Sequence, residues 1–187
     1  MAESKNNIVT HGLSGKVGDI LVFSQRNGKT IVSKAPKERT GEASDKQKQQ
    51  IAKFQQAVIY AKSVLQDPIT KAIYTDAATP EKGVSTYNVA VADLLNAPKI
   101  EEIDLSNYNG DINDTISVTV TDDFQVASVK VIINNADGSL VEQGNATLQG
   151  SKWVFVATVN NSDLAGDKIT IQATDIPDNL SEKTETI

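Results

Sequence analysis

The side chains best suited to chemistry in this sequence are carboxylates and amides, and most of them lie in its second half. Asn109-Gly110-Asp111-Ile112-Asn113-Asp114 sets oxygen-bearing side chains at alternate positions, the spacing by which a loop wraps a calcium ion in hard ligands. The run lacks the sixth-position glycine of the calcium hand, and Val120 stands where its bidentate glutamate would be. A second acidic group, Asp122 and Asp123 with Asp175 and Asp178, could meet at one end of a strand-rich domain. The calcium candidates are therefore Asp111, Asn113, Asp122 and Asp123. The competing reading makes all of these solvated turn residues bonded to their own backbone.

Other chemistries find fewer parts. With no cysteine in 187 residues, disulfides, thiol nucleophiles and cysteine metal sites are excluded. A histidine-dependent triad would have to use His11, the single histidine, in a polar stretch rich in glycine. Gly12-Leu13-Ser14-Gly15-Lys16-Val17 suggests a phosphate loop, but Thr10 and Val17 occupy the positions that need glycine and a hydroxyl residue. Glu101, Glu102, Asp104, Asp122 and Asp123 could supply a glycosidase pair, yet one tryptophan offers little surface for stacking a sugar. We therefore expect no enzyme activity and no cofactor.

The elements that would position these acids are strands. Ile116, Val118 and Val120 alternate with Ser117, Thr119 and Thr121, as Val129, Val131 and Ile133 do with Ser128, Lys130 and Ile132, so each run turns one set of side chains inward. Asn135-Ala136-Asp137-Gly138 reads as a hairpin turn into Ser139 to Glu142. Trp153, Phe155, Ala157 and Val159 mark another strand, and Ile169, Ile171 and Ala173 the last. At least five short strands divided by Gly, Asn and Asp favour an antiparallel sandwich.

Thr121 to Val129, Trp153-Val154-Phe155, Ala173-Thr174-Asp175 and Asp178 to Ser181 together resemble the strand and loop pattern of bacterial immunoglobulin-like domains over roughly residues 99 to 187. In that family the closing loop often reads Asp-x-x-Gly-Asn, and here Asp178 stands where glycine is usual. The resemblance implies an adhesive, spacer or assembly module and identifies no ligand. Gly15 to Lys37, with the helix after it, resembles the opening of an uncharacterised bacterial family of short proteins that carries no assigned activity.

Residues 1 to 19, with Gly12, Gly15 and Gly18, read as a segment without fixed structure unless a partner supplies it. Ile20 to Gln25 and Thr30 to Lys34 then form a hairpin about Asn27-Gly28, with Arg26 facing Lys29, Ser24 facing Ile31 and Phe23 facing Val32. Leu21, Phe23 and Val32 share one face, and Ile20, Val22 and Ile31 share the other. A ribbon apolar on both sides needs cover. After a linker at 35–41, Ser44 and Gln47 form a capping box ahead of a helix of about twenty residues. Its expected seam is Ile51, Phe54, Val58, Ala61 and Leu65. Asp67-Pro68 opens a second helix with Ile69, Ala72 and Ile73 inside. A third begins at Thr79-Pro80 or Ser85, turns Tyr87, Val91, Leu94 and Leu95 inward, and stops at Asn96 to Pro98.

Charge divides along the same lines. Residues 1–41 carry a net charge of +4, residues 42–100 +1, and residues 101–187 −11. Lys16, Arg26, Lys29, Lys34, Lys37 and Arg39 could meet a nucleic acid, but no dense basic run or interleaved aromatics support this, and the acidic part would repel phosphate. Opposed charge suits head-to-tail pairing of identical chains better.

The expectation is an α+β chain in three parts: a basic β-hairpin arm at 1–41, a small helical domain of about three helices at 42–98, and an acidic immunoglobulin-like β-sandwich at 99–187. We expect a structural protein that forms homo-oligomers or filaments, as a surface appendage or a component of a phage-like particle. Its interface would be Leu21, Phe23, Arg26, Lys29, Ile31, Val32 and Lys34. The alternative is a monomeric adhesive module binding a surface protein or glycan. No apolar run approaches the roughly 20 residues that span a bilayer, and the opening residues lack a secretory signal's apolar core. An extracellular or particle location would then be reached by a signal-independent route.

Overall fold

The computed structural model describes residues 2–4, 8–26, 28–37 and 41–187. The chain is α+β, with three helices and three four-stranded antiparallel sheets among the described residues. It divides into two compact units, one of residues 1–52 and 78–85, the other of residues 53–77 and 86–187.

In the first unit, strands β1 (Ala2–Ser4), β2 (Gly15–Val17), β3 (Leu21–Arg26) and β4 (Lys29–Lys34) form a sheet in the order β1-β4-β3-β2. The β3–β4 register pairs Arg26 with Lys29, Ser24 with Ile31 and Phe23 with Val32, the pairing that a two-residue loop between alternating runs dictates. Asn27 of that loop and residues 38–40 of the expected linker lie outside the described residues. The opening segment differs from its sequence reading. Gly12 and Gly18, at φ +78 and +55, turn the chain on either side of β2, and β1 joins the other edge of the hairpin through Ala2, Glu3 and Ser4.

Helix α1 (Asp45–Gln66) begins at the expected capping box: Gln47 N–H donates to Ser44 Oγ at 3.4 Å and Ser44 N–H to Gln47 Oε1 at 3.0 Å. Helix α2 (Pro68–Asp76) is capped by Asp67, whose carboxylate accepts from the amides of Ile69 and Thr70 at 3.4 and 3.0 Å. After a short 3-10 turn at Pro80–Lys82, α3 (Thr86–Leu95) ends just before Asn96.

In the second unit, β5 (Lys99–Asp104), β6 (Thr115–Thr121), β10 (Lys152–Val156) and β9 (Thr147–Gln149) form one sheet in that order. Strands β12 (Leu180–Thr186), β11 (Lys168–Asp175), β7 (Val126–Asn134) and β8 (Leu140–Asn145) form the other. Both contribute to one apolar core, in which Ile116, Val118, Val129, Val131, Ile133, Phe155, Ile169, Ile171 and Ala173 are buried. Alternation in sequence thus becomes a shared interior. Val159 falls beyond β10 and is exposed, because the strand ends at Val156.

A second core lies among the helices, where Ala61, Val64, Tyr74 and Ala90 are buried against Tyr60, Tyr87, Val89, Val91, Phe124 and Ile176. The inner stripe of α1 is Ala57, Ala61 and Val64, one step around from the expected seam, and Ile51 and Phe54 are 48% and 50% exposed. On α2 the inward residue is Tyr74, while Ile69 and Ile73 are exposed. The small side chains of Ala61 and Ala90 leave room in this core for the broad Tyr74 ring. Among the described residues no helix is long and apolar enough to cross a membrane.

Candidate functional site

Three carboxylates converge in the second unit. Asp93 comes from the last turn of α3, Asp122 follows the end of β6, and Asp175 closes β11. One oxygen from each lies within 4.8 Å of the others. Asp93 and Asp175 are each only 1% exposed.

The backbone around them is fixed by a chain of polar contacts. Asp175 Oδ1 accepts from Asn179 N–H at 2.6 Å and Oδ2 from Asn179 Nδ2 at 2.8 Å. The same amide also donates to the carbonyls of Asp93, Leu94 and Asn96 at 3.0, 3.3 and 3.3 Å, satisfying the free carbonyls at the end of α3. Asp178 turns this loop with φ +64, the left-handed conformation that glycine adopts without strain. On the other side, Tyr74 OH donates to Asp93 Oδ2 and lies 2.7 Å from Tyr60 OH. The Tyr74 ring stacks on Phe124 at 4.7 Å and meets Tyr60 edge-on at 6.3 Å.

These bonds leave a deficit. Asp93 Oδ1 and both oxygens of Asp122 are buried and have no hydrogen-bond partner among the described residues. Burial first, with the charges of Asp175 and Asp122 adding to it, raises the pKa of Asp93 to about 6 against the hydrogen bond from Tyr74 that favours its charged form. Burial also raises Asp175, offset by its bonds from Asn179. Lys99, Lys152 and Lys183 make their ion pairs with Glu101, Asp104 and Glu185 instead.

Of the four calcium candidates, only Asp122 enters this trio. Asp123 is engaged by Asn96, whose Nδ2 donates to its Oδ2 at 2.5 Å. Asp111 and Asn113 lie in the loop before β6, at the other end of the strand from Asp122. There Asp114 folds the loop on itself, accepting from the amides of Asn109 and Asp111 at 2.6 and 3.1 Å. Asp93 had no place in the sequence reading, because a helical pattern nominates its apolar neighbours. The available signal was a carboxylate in a helix's last turn, where the dipole disfavours negative charge.

The expected interface residues occupy the first unit's sheet. Leu21, Phe23, Val32 and Lys34 share one face, with Val17 of β2 beside Leu21. Arg26, Lys29 and Ile31 lie on the other, with Lys16 beside Val22. From Ile8 onward, Ala35 alone among this unit's described apolar residues is buried; Phe23, Ile31 and Val32 are half-buried, and Val17, Ile20 and Leu21 are exposed. His11 is exposed in a turn.

Compared with protein-family models, curated proteins and solved structures, the chain gives no match.

Proposed function

We propose that this protein is a non-enzymatic assembly subunit, whose N-terminal sheet lies on the acidic C-terminal region of a second copy. The observation that carries the reading is that sheet itself: three of its four strands, β2, β3 and β4, carry apolar residues on both faces and bury none of them. A sheet of this kind gains little from burial within its own unit, and Val17, Leu21, Phe23 and Val32 gain it on docking. Charge selects the occupant. The +4 arm and the −11 region attract one another between copies, which speeds encounter and sets orientation. A head-to-tail contact of this sort gives a ring or a filament according to whether its rotation closes. In this reading the second unit's paired sheets form an immunoglobulin-like sandwich that serves as the spacer.

Sedimentation velocity of the full chain across a concentration series tests the reading. The expected result is species larger than one chain, disfavoured by salt and abolished in the variant Phe23→Asp with Val32→Asp. A single-chain mass at every concentration, or a variant that assembles like the parent, overturns it.

A further inference from the structure

We propose that Asp93, Asp122 and Asp175 form a calcium site that ties helix α3 to both sheets of the second unit. The spacing suits the ion: calcium takes oxygens at roughly 2.4 Å, so two ligands across it stand no more than about 5 Å apart, and the three carboxylate oxygens fall within 4.8 Å of one another. The deficit suits it as well. Asp93 is almost fully enclosed, yet its Oδ1 has no donor, and neither does either oxygen of Asp122. A buried acceptor of this kind costs free energy unless a donor or a cation meets it.

Two further features favour a cation over a proton. The trio stands at the negative end of the α3 dipole, where positive charge is stabilised. Tyr74 OH donates to Asp93 Oδ2, and Oδ1, without a partner among the described residues, is left for another ligand. Oxygen ligands carrying three formal negative charges select a hard divalent ion, and a set drawn from a helix and two strand ends adapts to calcium's loose geometry better than to magnesium's strict octahedron. Three carboxylates supply only part of calcium's six to eight oxygens, and backbone carbonyls or water would supply the rest. The ion would join elements that lie far apart in the chain, so binding would be read as stability of the whole unit.

The test uses the full chain stripped with EDTA and titrated with calcium chloride by calorimetry, with parallel thermal melts. Expected are one calcium per chain, a rise in Tm, and a much smaller response to magnesium at equal concentration. Asp122→Asn, at a half-buried position, is expected to lose the isotherm while keeping the parent's far-UV circular dichroism; Asp111→Asn, in the distant loop, is expected to bind as the parent does. Terbium supplies a second measurement that needs no variant: its luminescence, sensitised by Tyr60 and Tyr74, should appear on binding and be displaced by calcium. Absence of both calcium heat and terbium luminescence in the folded protein overturns the proposal, as does an Asp122→Asn variant that binds like the parent.

Discussion

Tyr74 donates its phenolic proton to Asp93 although the two are nineteen residues apart, and both side chains are closed off from solvent. Burial first, and then the bond it donates to Asp93, holds the Tyr74 pKa far above the ordinary phenol value, so the hydroxyl remains a donor at any working pH. Tyr74→Phe keeps the ring stacked on Phe124 but leaves Asp93 with no donor on either oxygen. The expected loss is about 1.5–3 kcal/mol, read by urea unfolding with EDTA present. A loss below about 0.5 kcal/mol would show that the bond contributes nothing net.

The pH response of α2 has a definite sign. Asp67 is held below the usual carboxylate range by its bonds from the Thr70 hydroxyl and the Thr70 and Ile69 amides. A depressed folded-state pKa gives stability that is present above the unfolded value and lost as pH falls through the folded one. Asp67→Asn retains a capping oxygen but cannot titrate. The parent's Tm should therefore exceed the variant's at neutral pH, with the gap closing as the solution becomes acidic enough to protonate Asp67. A gap independent of pH would contradict this.

Asp178 occupies a backbone conformation that suits glycine. Relief of left-handed strain, worth roughly 1–2 kcal/mol, exceeds the entropy cost of glycine, roughly 0.5–1 kcal/mol. Asp178→Gly is expected to stabilise the protein by up to about 1 kcal/mol in EDTA, measured as a higher urea midpoint. A lower midpoint would mean that the carboxylate does more for the loop than the strain costs.

Gly110 is the opposite case. Its φ is +89, and a Cβ there would stand 2.1 Å from the carbonyl oxygen of Asn161, while its own carbonyl accepts from Asn161 N–H at 2.7 Å. Gly110→Ala must push apart two loops joined by that bond, and we expect a loss of at least about 2 kcal/mol. An unchanged Tm would show that the loops separate freely.

The parts of the fold legible in the sequence are those set by local pattern. The β3–β4 register is the one expected from the two alternating runs and a two-residue loop, Ser44 with Gln47 marks the start of α1, and alternation marks the buried residues of β6, β7 and β11. Strand β12 was missed because Ser181 to Thr186, after Leu180, is polar throughout; it is held by pairing with β11 from Lys168 to Thr174, at the sheet edge, where no second apolar face is needed. The trio was half legible. Asp122 follows β6 and Asp175 ends β11, strands whose alternation is plain, so their meeting at one end could be anticipated, whereas Asp93 joins them through the tertiary packing of α3, where Tyr74 OH donates to it. No local period encodes that tertiary choice.

The most direct test of assembly is carbodiimide cross-linking of an equal mixture of ordinary and nitrogen-15-labelled full-length chains, read by mass spectrometry. The account expects mixed-isotope links from Lys29 or Lys34 to carboxylates within residues 101–187, disappearing in the Phe23→Asp, Val32→Asp variant. Links confined to single-isotope pairs, in a sample sedimenting as one chain, would contradict it.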